Sequence, residues 1–302
     1  MIINDVSIII VNYNTKQMTN ECIESIIAYT NGLNYEIILV DNGSSDGSKE
    51  FFEKKEGIVY IYSNENLGFG RANNLGAEKA TGNYLFLLNS DTLLFDNSIK
   101  IMCDFYSSKE TELKMGALGC VLVDRDKQFN GCGGSFPTCK DWIKKYKSSL
   151  PFVKWFSKYD EKETYPLDNN YFEIDYVIGA DLLIKKSVFE SLQGFDPDYF
   201  MYYEESDLQK RMSSLGLKAY IITITKIIHL EDASGKSIVN YSNRKRIITH
   251  LSRNLYLKKN DAKDFAKYKF FDKLFLLLNR FNPKYSLQEN SDYITQIKKT
   301  YS

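Results

Sequence analysis

The sequence predicts an α/β protein with a mostly parallel central sheet, and three observations point that way. Its first hundred residues alternate short β-branched apolar runs with polar stretches of helical period. Each of those runs ends in Asn or Asp and is followed by turn residues. With 43% apolar content, 302 residues can bury one large core or two modest ones, as an enzyme-sized unit requires.

Taken in order, VSIIIVNY (6–13), YEIILVDN (35–42), IVYIYSN (58–64) and NYLFLLNSD (83–91) read as strands, with helices over 16–30, 47–55 and 70–80. The strand ends carry Asn12 and Asn14, Asp41 and Asn42, Asn64 and Asn66, then Asn89 and Asp91. Ligands of open α/β sheets lie outside the carboxyl ends of the strands, so these four clusters should converge on one crevice. A further strand is expected at GALGCVLVD (116–124), then an irregular Gly- and Lys-rich segment to about residue 170. Order returns with YFEIDYVIGADLLIKKSVF. A helix follows YYEESDL (202–208), AYIITITKIIHL (219–230) forms a strand ending at His229, and 236–302 reads as helical. No internal repeat or low-complexity tract interrupts the chain.

The 39 basic and 39 acidic side chains balance, which excludes the signature of a nucleic-acid binder or a disordered chain. The basic residues gather toward the end, where 236–284 holds many Lys and Arg against Asp261, Asp264 and Asp272 alone. Cys22, Cys103, Cys120, Cys132 and Cys139 are odd in number and lack a CxxC pair. Neither a disulfide framework nor a thiolate metal site is expected, and a reducing cytoplasm fits. The start of the chain shows no charged leader with a cleavage site, and the late run LFLLL (274–278) falls far short of a span.

Three motifs look like something else. GSSDG (43–47) matches GxSxG, and the order Ser45, Asp196 or Asp207, His229 would permit a serine hydrolase. Ser45 nevertheless lies beyond the sharp turn a nucleophile elbow needs, and a Gly/Ser/Asp turn capping the next helix explains it better. GFGRAN (68–73) has Asn73 where a dinucleotide fingerprint has its third Gly, and it follows the third strand, so no nicotinamide cofactor is expected. DNGSSDG lacks a calcium loop's closing Glu, since Phe52 stands there.

The acids carry more. Asp91 ends an apolar strand and should project into the crevice, although a lone Asp after a strand is commonly a turn residue. Glu204, Glu205 and Asp207 would by default line a solvated helix face. They follow the aromatic run FDPDYFMYY, however, which such a face would not tolerate. Carboxyls beside aromatic packing gain proton affinity, as a general base requires. His229 on a strand end is by default a structural hydrogen-bonder.

The motifs together resemble glycosyltransferase family 2 with the GT-A fold, especially its bacterial rhamnosyltransferase-like and galactofuranosyltransferase-like members. The similarity covers about residues 5–235. VSIIIVNYN resembles the opening strand, ILVDNGSSDGS the nucleotide loop, NENLGFGRANNLGAEKATGNYLFLLNSD the central signature, and GADLLIKKSVFESLQGFDPDYFMYYEESDLQKRM the acceptor and catalytic segment. The resemblance implies a catalytic domain over 1–235, with a nucleotide-sugar-binding half (1–115) and an acceptor half (116–235), then a basic, amphipathic helical extension (236–302). By the same resemblance Asp41 accepts hydrogen bonds from the nucleotide base, with Asn12, Asn14 and Asn42 around it, and Arg71 and Asn73 lie beside the diphosphate.

Asp91 matches the last carboxylate of the family's DxD metal motif, with Asn89 at its first acidic position and Ser90 between them. The family also implies His229 as a further ligand of a divalent cation, Mn2+ or Mg2+. Imidazole favours Mn2+, and with one carboxylate the site should bind metal weakly until the donor's phosphates arrive. Glu205 matches the catalytic base, one methylene longer than the family's Asp. Glu204 and Asp207 are partners for the metal site, the acceptor or Arg211, and Gly179 and Ala180 let a sugar approach the backbone. The implied reaction is inverting transfer from a UDP- or dTDP-sugar to a glycan or lipid-linked acceptor in bacterial surface polysaccharide assembly, with no nucleic acid involved. A serine hydrolase using Ser45 and a catalytically inactive sugar-nucleotide binder are the competing readings.

FAKYKFFDKLFLLLNRF (265–281) places Tyr268, Phe271, Leu274, Phe275, Leu278 and Phe281 at helical intervals among Lys and Arg. Packing on the catalytic domain is one expectation and contact with an anionic membrane surface the other, while 139–159 would form an acceptor-side lid or another membrane contact. A cytoplasmic enzyme, peripheral at the inner face of the membrane, is the corresponding location.

Overall fold

The computed structural model describes residues 4–149, 164–230 and 241–301. They divide into two compact units: 4–135, 166–200 and 204–230 form one, and 136–149, 164–165, 201–203 and 241–301 the other.

The first unit is built on a sheet that runs, edge to edge, β3-β2-β1-β4-β11-β6-β12-β5, with β7 added to β6 and β9 to β12. β1 (Val6–Asn12), β2 (Tyr35–Asp41), β3 (Val59–Tyr62) and β4 (Tyr84–Asn89) pair in parallel, with Asn12 level with Asp41 and Val11 level with Asn89. These are the four strands read from the sequence, within two residues at each end. They show as continuous apolar runs because both faces are buried: Ile8, Ile9, Ile10, Ile38, Leu39 and Leu87 are all fully enclosed. α1 (Lys16–Tyr29), α2 (Ser48–Phe52), α3 (Phe69–Ala77) and α4 (Ser98–Leu113) make the crossovers. Cys22, Ile23 and Ile26 of α1 and Ile99, Met102 and Tyr106 of α4 join the core formed with Ile8, Ile10 and Phe86.

Beyond β4 the sheet is mixed. β5 (Thr92–Leu93) is a short strand, β6 (Met115–Val123) is buried throughout, and β7 (Phe129–Gly131) extends it. β8 (Gly133–Gly134) pairs separately with β10 (Tyr176–Val177), and β9 (Tyr171–Ile174) runs antiparallel to β12 (Lys218–His229). β11 (Asp181–Lys185) inserts antiparallel between β4 and β6. Two helices, α6 (Lys186–Ser191) and α7 (Glu204–Ser214), complete the unit. α7 begins inside the YYEESDL stretch, at Glu204, where the sequence reading has the helix follow it.

The second unit is helical. α5 (Cys139–Ser149) packs on α9 (Ala262–Asn279), which also contacts α8 (Tyr241–Asn260) and α10 (Leu287–Lys299). Residues 136–149, expected as part of an irregular acceptor-half segment, therefore hold a helix that groups with the tail helices. Of the two stretches expected to touch a membrane, 150–159 lies outside the described residues, as does 236–240 of the tail. No helix among the described residues is long and apolar enough to cross a membrane.

Candidate active site

Strand pairing assembles the centre. β12 meets β5 antiparallel, with His229 level with Thr92, and Leu230 N–H donates to the Asp91 carbonyl at 2.9 Å. A residue from late in the chain is thereby set beside the end of β4. His229 Nε2 lies 3.4 Å from Asp91 Oδ1 and 3.4 Å from Asn89 Nδ2. Asp91 and His229 are each only 8% exposed. The backbone here is held tightly: Thr92 Oγ1 donates to the Asn89 carbonyl at 2.8 Å, Asn89 N–H donates to the Ala180 carbonyl at 3.0 Å, and Ser90 Oγ sits 3.2 Å from Thr15 Oγ1.

Among the described residues no three His, Cys, Asp or Glu side chains gather into a self-sufficient metal site. Asp91 and His229 form a pair. Neighbouring ligands of an octahedral cation bound at about 2.1 Å lie roughly 3 Å apart, close to the 3.4 Å between these two atoms. One carboxylate and one imidazole fit an open site completed by waters and a ligand's own phosphates.

The loops after β1 and β2 are cross-braced. Asn12 accepts from Thr15 Oγ1 and Thr19 Oγ1, both at 2.9 Å, and donates to Ser44 Oγ at 3.1 Å. Ser44 Oγ also accepts from Asn14 N–H, and Asn14 Oδ1 accepts from Ser45 N–H at 2.7 Å. Asp41 is fully buried and accepts from Ser44 N–H at 3.1 Å and Tyr60 Oη at 2.9 Å. Asn42 clamps the third loop, donating to Asn66 Oδ1 and the Gly68 carbonyl and accepting from Leu67 N–H. Arg71 Nε donates to the Leu67 carbonyl at 2.7 Å, and Asn73, buried in α3, donates to the Phe69 carbonyl. The loops after β1, β2 and β3 thus form one hydrogen-bonded rim shaped by Asn12 and Asn42, whereas Asn73 bonds back along its own helix. Ser45 Oγ donates to Asn14 Oδ1 at 3.3 Å, which ties it into this bracing.

Gly68 makes the rim possible. It holds a left-handed φ of +83°, and a Cβ there would sit 2.0 Å from the Phe200 carbonyl oxygen, which accepts from Phe69 N–H at 3.0 Å. The loop before α7 is drawn in the same way by Asn74, whose side chain bonds both backbone groups of Phe195 at 2.8 and 2.9 Å.

Glu204, Glu205 and Asp207 occupy the first turn of α7, where the helix dipole favours negative charge. Burial overrides that preference. It pushes the Glu204 carboxyl well above its ordinary value, helped by the neighbouring Glu205, and raises Glu205 as well. One oxygen of each, Oε2, is buried with no hydrogen-bond partner among the described residues. Immediately before them Tyr202 and Tyr203 both hold a φ of +70°, a conformation costing a non-glycine residue on the order of 1 kcal/mol. Asp207 differs from its neighbours. It accepts from Arg211 Nε at 2.8 Å and Tyr199 Oη at 3.3 Å, while Arg211 also reaches the Leu192 and Gly194 carbonyls. Of the partners open to Asp207, the structure gives it Arg211.

Gly179 and Ala180 join the two halves of the centre. A Cβ on Gly179 would stand 3.2 Å from the Phe69 ring, so its smallness admits that ring, and Ala180 supports Asn89. The next residue, Asp181, does not stand out in the sequence. It is fully buried, its Oδ2 accepts from Cys120 N–H at 2.6 Å, and burial pushes it up to about 7, opposed by its hydrogen bonds and the nearby His229. Its other oxygen has no partner among the described residues.

The family model for Glycosyl transferase family 2 matches residues 7–192. The chain belongs to glycosyltransferase family 2. Rhamnosyltransferase WbbL of Escherichia coli K12 is 26% identical over 267 residues, covering 81% of this chain and 95% of that one. The N-acetylglucosaminyl-diphospho-decaprenol L-rhamnosyltransferase of Mycobacterium tuberculosis is 25% identical over 221 residues, 66% of this chain and 68% of its own. The mannosyltransferase PcManGT of Pyrobaculum calidifontis, solved with GDP-Man and Mn2+, superposes with a TM-score of 0.56 at 16% identity, covering 97% of this chain and 74% of that one. The glycosyltransferase thus has the GT-A fold its sequence resembles. All five of its cysteines are buried.

Proposed function

We propose that this glycosyltransferase moves a sugar, with inversion, from a nucleoside diphosphate donor to a hydroxyl of a glycan or lipid-linked acceptor. The observation that carries the reading is the meeting of Asp91 and His229, 3.4 Å apart at the carboxyl end of β4. Asp41, Asn14 and Arg71 line the rim for base and diphosphate, and Asp91 with His229 would hold Mn2+ or Mg2+. A bound divalent ion offsets the charge that develops on the leaving diphosphate.

Glu205 is the general base. Its carboxylate takes the proton of the acceptor hydroxyl while that oxygen bonds to the anomeric carbon. The bond from that carbon to the diphosphate oxygen breaks on the opposite face, and its electron pair departs with the nucleotide. Burial raises the carboxyls of both Glu205 and its neighbour Glu204, so each holds a proton to a higher pH than a free Glu. Asp207 and Arg211 position α7. The names of the two rhamnosyltransferase relatives support rhamnose as the sugar, and that of the mycobacterial one supports a polyprenyl-diphosphate-linked acceptor.

Thermal unfolding with UDP, dTDP or GDP, each with and without Mn2+, tests the reading, because a ligand of the native state raises the midpoint. One nucleotide is expected to stabilise the protein more with Mn2+ than without, and Asp91→Asn to abolish that difference. A nucleotide shift indifferent to Mn2+ in both proteins would contradict it.

A further inference from the structure

α9 is apolar on two opposite faces. Tyr268 and Leu276 are fully buried, and Phe275 stacks on Tyr146 with ring centroids 4.5 Å apart, so this face closes the core of the helical unit. The other face carries Phe270, Leu274, Leu277 and Leu278, continued by Phe281 in the following turn. Steps of four, three, one and three place them in one stripe. They are 66%, 43%, 58%, 50% and 75% exposed, respectively. Five large apolar side chains in a row form the kind of patch a monomer keeps for a partner or a membrane.

The charges around the stripe select between those. Lys263, Lys267, Lys273 and Arg280 are exposed. The two acids of α9 do not oppose them: Asp272 is fully buried, held by His250, and Asp264 lies 3.8 Å from Lys140. A second copy of the chain meeting this face about a two-fold axis would set these cations against their own kind. An anionic bilayer takes both features, with the apolar stripe entering the headgroup boundary and the cations resting at the phosphates. With no described helix able to span, such a helix lies in the surface.

We propose that the stripe Phe270–Leu274–Leu277–Leu278–Phe281 docks the protein on an anionic lipid bilayer. This surface function is separate from sugar transfer and is measured without a donor or acceptor. Flotation of the full chain with vesicles of phosphatidylcholine alone, or mixed with phosphatidylglycerol, tests it. Binding is expected to the anionic vesicles and to weaken with salt. Leu277→Ser with Phe281→Ser should lower partitioning at least about tenfold, and Lys273→Glu with Arg280→Glu about tenfold on anionic vesicles only. All four positions are exposed, so the unfolding midpoint should hold, which separates lost docking from lost folding. Failure of the wild-type chain to float, or flotation undiminished in both variants, would overturn the proposal. Self-association that the apolar variant removes, without lipid binding, would assign the stripe to a second copy instead.

Discussion

Glu205 and Glu204 stand side by side in the first turn of a helix, and burial raises both above the ordinary carboxyl range. A general base must be ionised to work, so a raised pKa moves the acidic limb of activity upward. The kcat/KM of the wild-type protein should fall as pH drops through a value above the roughly 4.3 of a free Glu. Glu205→Gln should keep nucleotide-induced stabilisation and lose transfer by about 10²–10⁴-fold; transfer at the wild-type rate would remove Glu205 from this role. The family resemblance made Glu205, Asp91 and His229 legible as candidates. Asp181 was not legible, because only the antiparallel insertion of β11 reveals that its carboxyl is buried near His229. Asp207 could not be told from its neighbours in the sequence, since its bond to Arg211 depends on α7 starting at Glu204.

At the scale of elements, the rim depends on where three loops turn, and Gly68 is the tightest of these turns. Gly68→Ala adds a left-handed strain to a Cβ placed 2.0 Å from a backbone oxygen. Unfolding in denaturant should show a loss of at least about 2 kcal/mol; a loss within about 0.5 kcal/mol would mean that the Phe69–Phe200 contact is dispensable. The first four strands were readable to within two residues because parallel strands buried on both faces leave uninterrupted apolar runs. The order in which β11, β6 and β12 join was not, because strand neighbours are chosen by tertiary contacts that no local pattern encodes. The tail helix was readable as periodic, but not its inner and outer faces. Tyr268, Phe271, Leu274, Phe275, Leu278 and Phe281 looked like one stripe, whereas Tyr268 is fully enclosed and Leu274, Leu278 and Phe281 are exposed.

For the whole molecule, each unit has its own dependence on conditions. In the helical unit His250 is 2% exposed, with Nε2 2.8 Å from Asp272 and Nδ1 2.6 Å from Tyr293. Tyr146 also donates to Asp272, and Arg253 lies 3.4 Å from it. Burial and the charge of Arg253 lower the His250 pKa from 6.5 to about 4. A His that binds fewer protons folded than unfolded contributes fully above 6.5 and loses that contribution as pH falls toward 4. Against its own burial, hydrogen bonding to His250 keeps Asp272 below the usual carboxylate range, which adds acid lability of the same sign. Up to about 3 kcal/mol should disappear across that window, read as the fall in unfolding midpoint of the full chain, and His250→Gln should flatten it. Equal pH dependence in both proteins would place the acid lability elsewhere. In the sheet-bearing unit the central claim is that the ends of β4 and β12 together cradle the cation of a nucleotide diphosphate. The most direct measurement is the anomalous signal of Mn2+ in crystals grown with the nucleotide that stabilises the protein most. The account predicts a peak in coordinating contact with both Asp91 and His229 Nε2, and a peak on the diphosphate that touches neither side chain would contradict it.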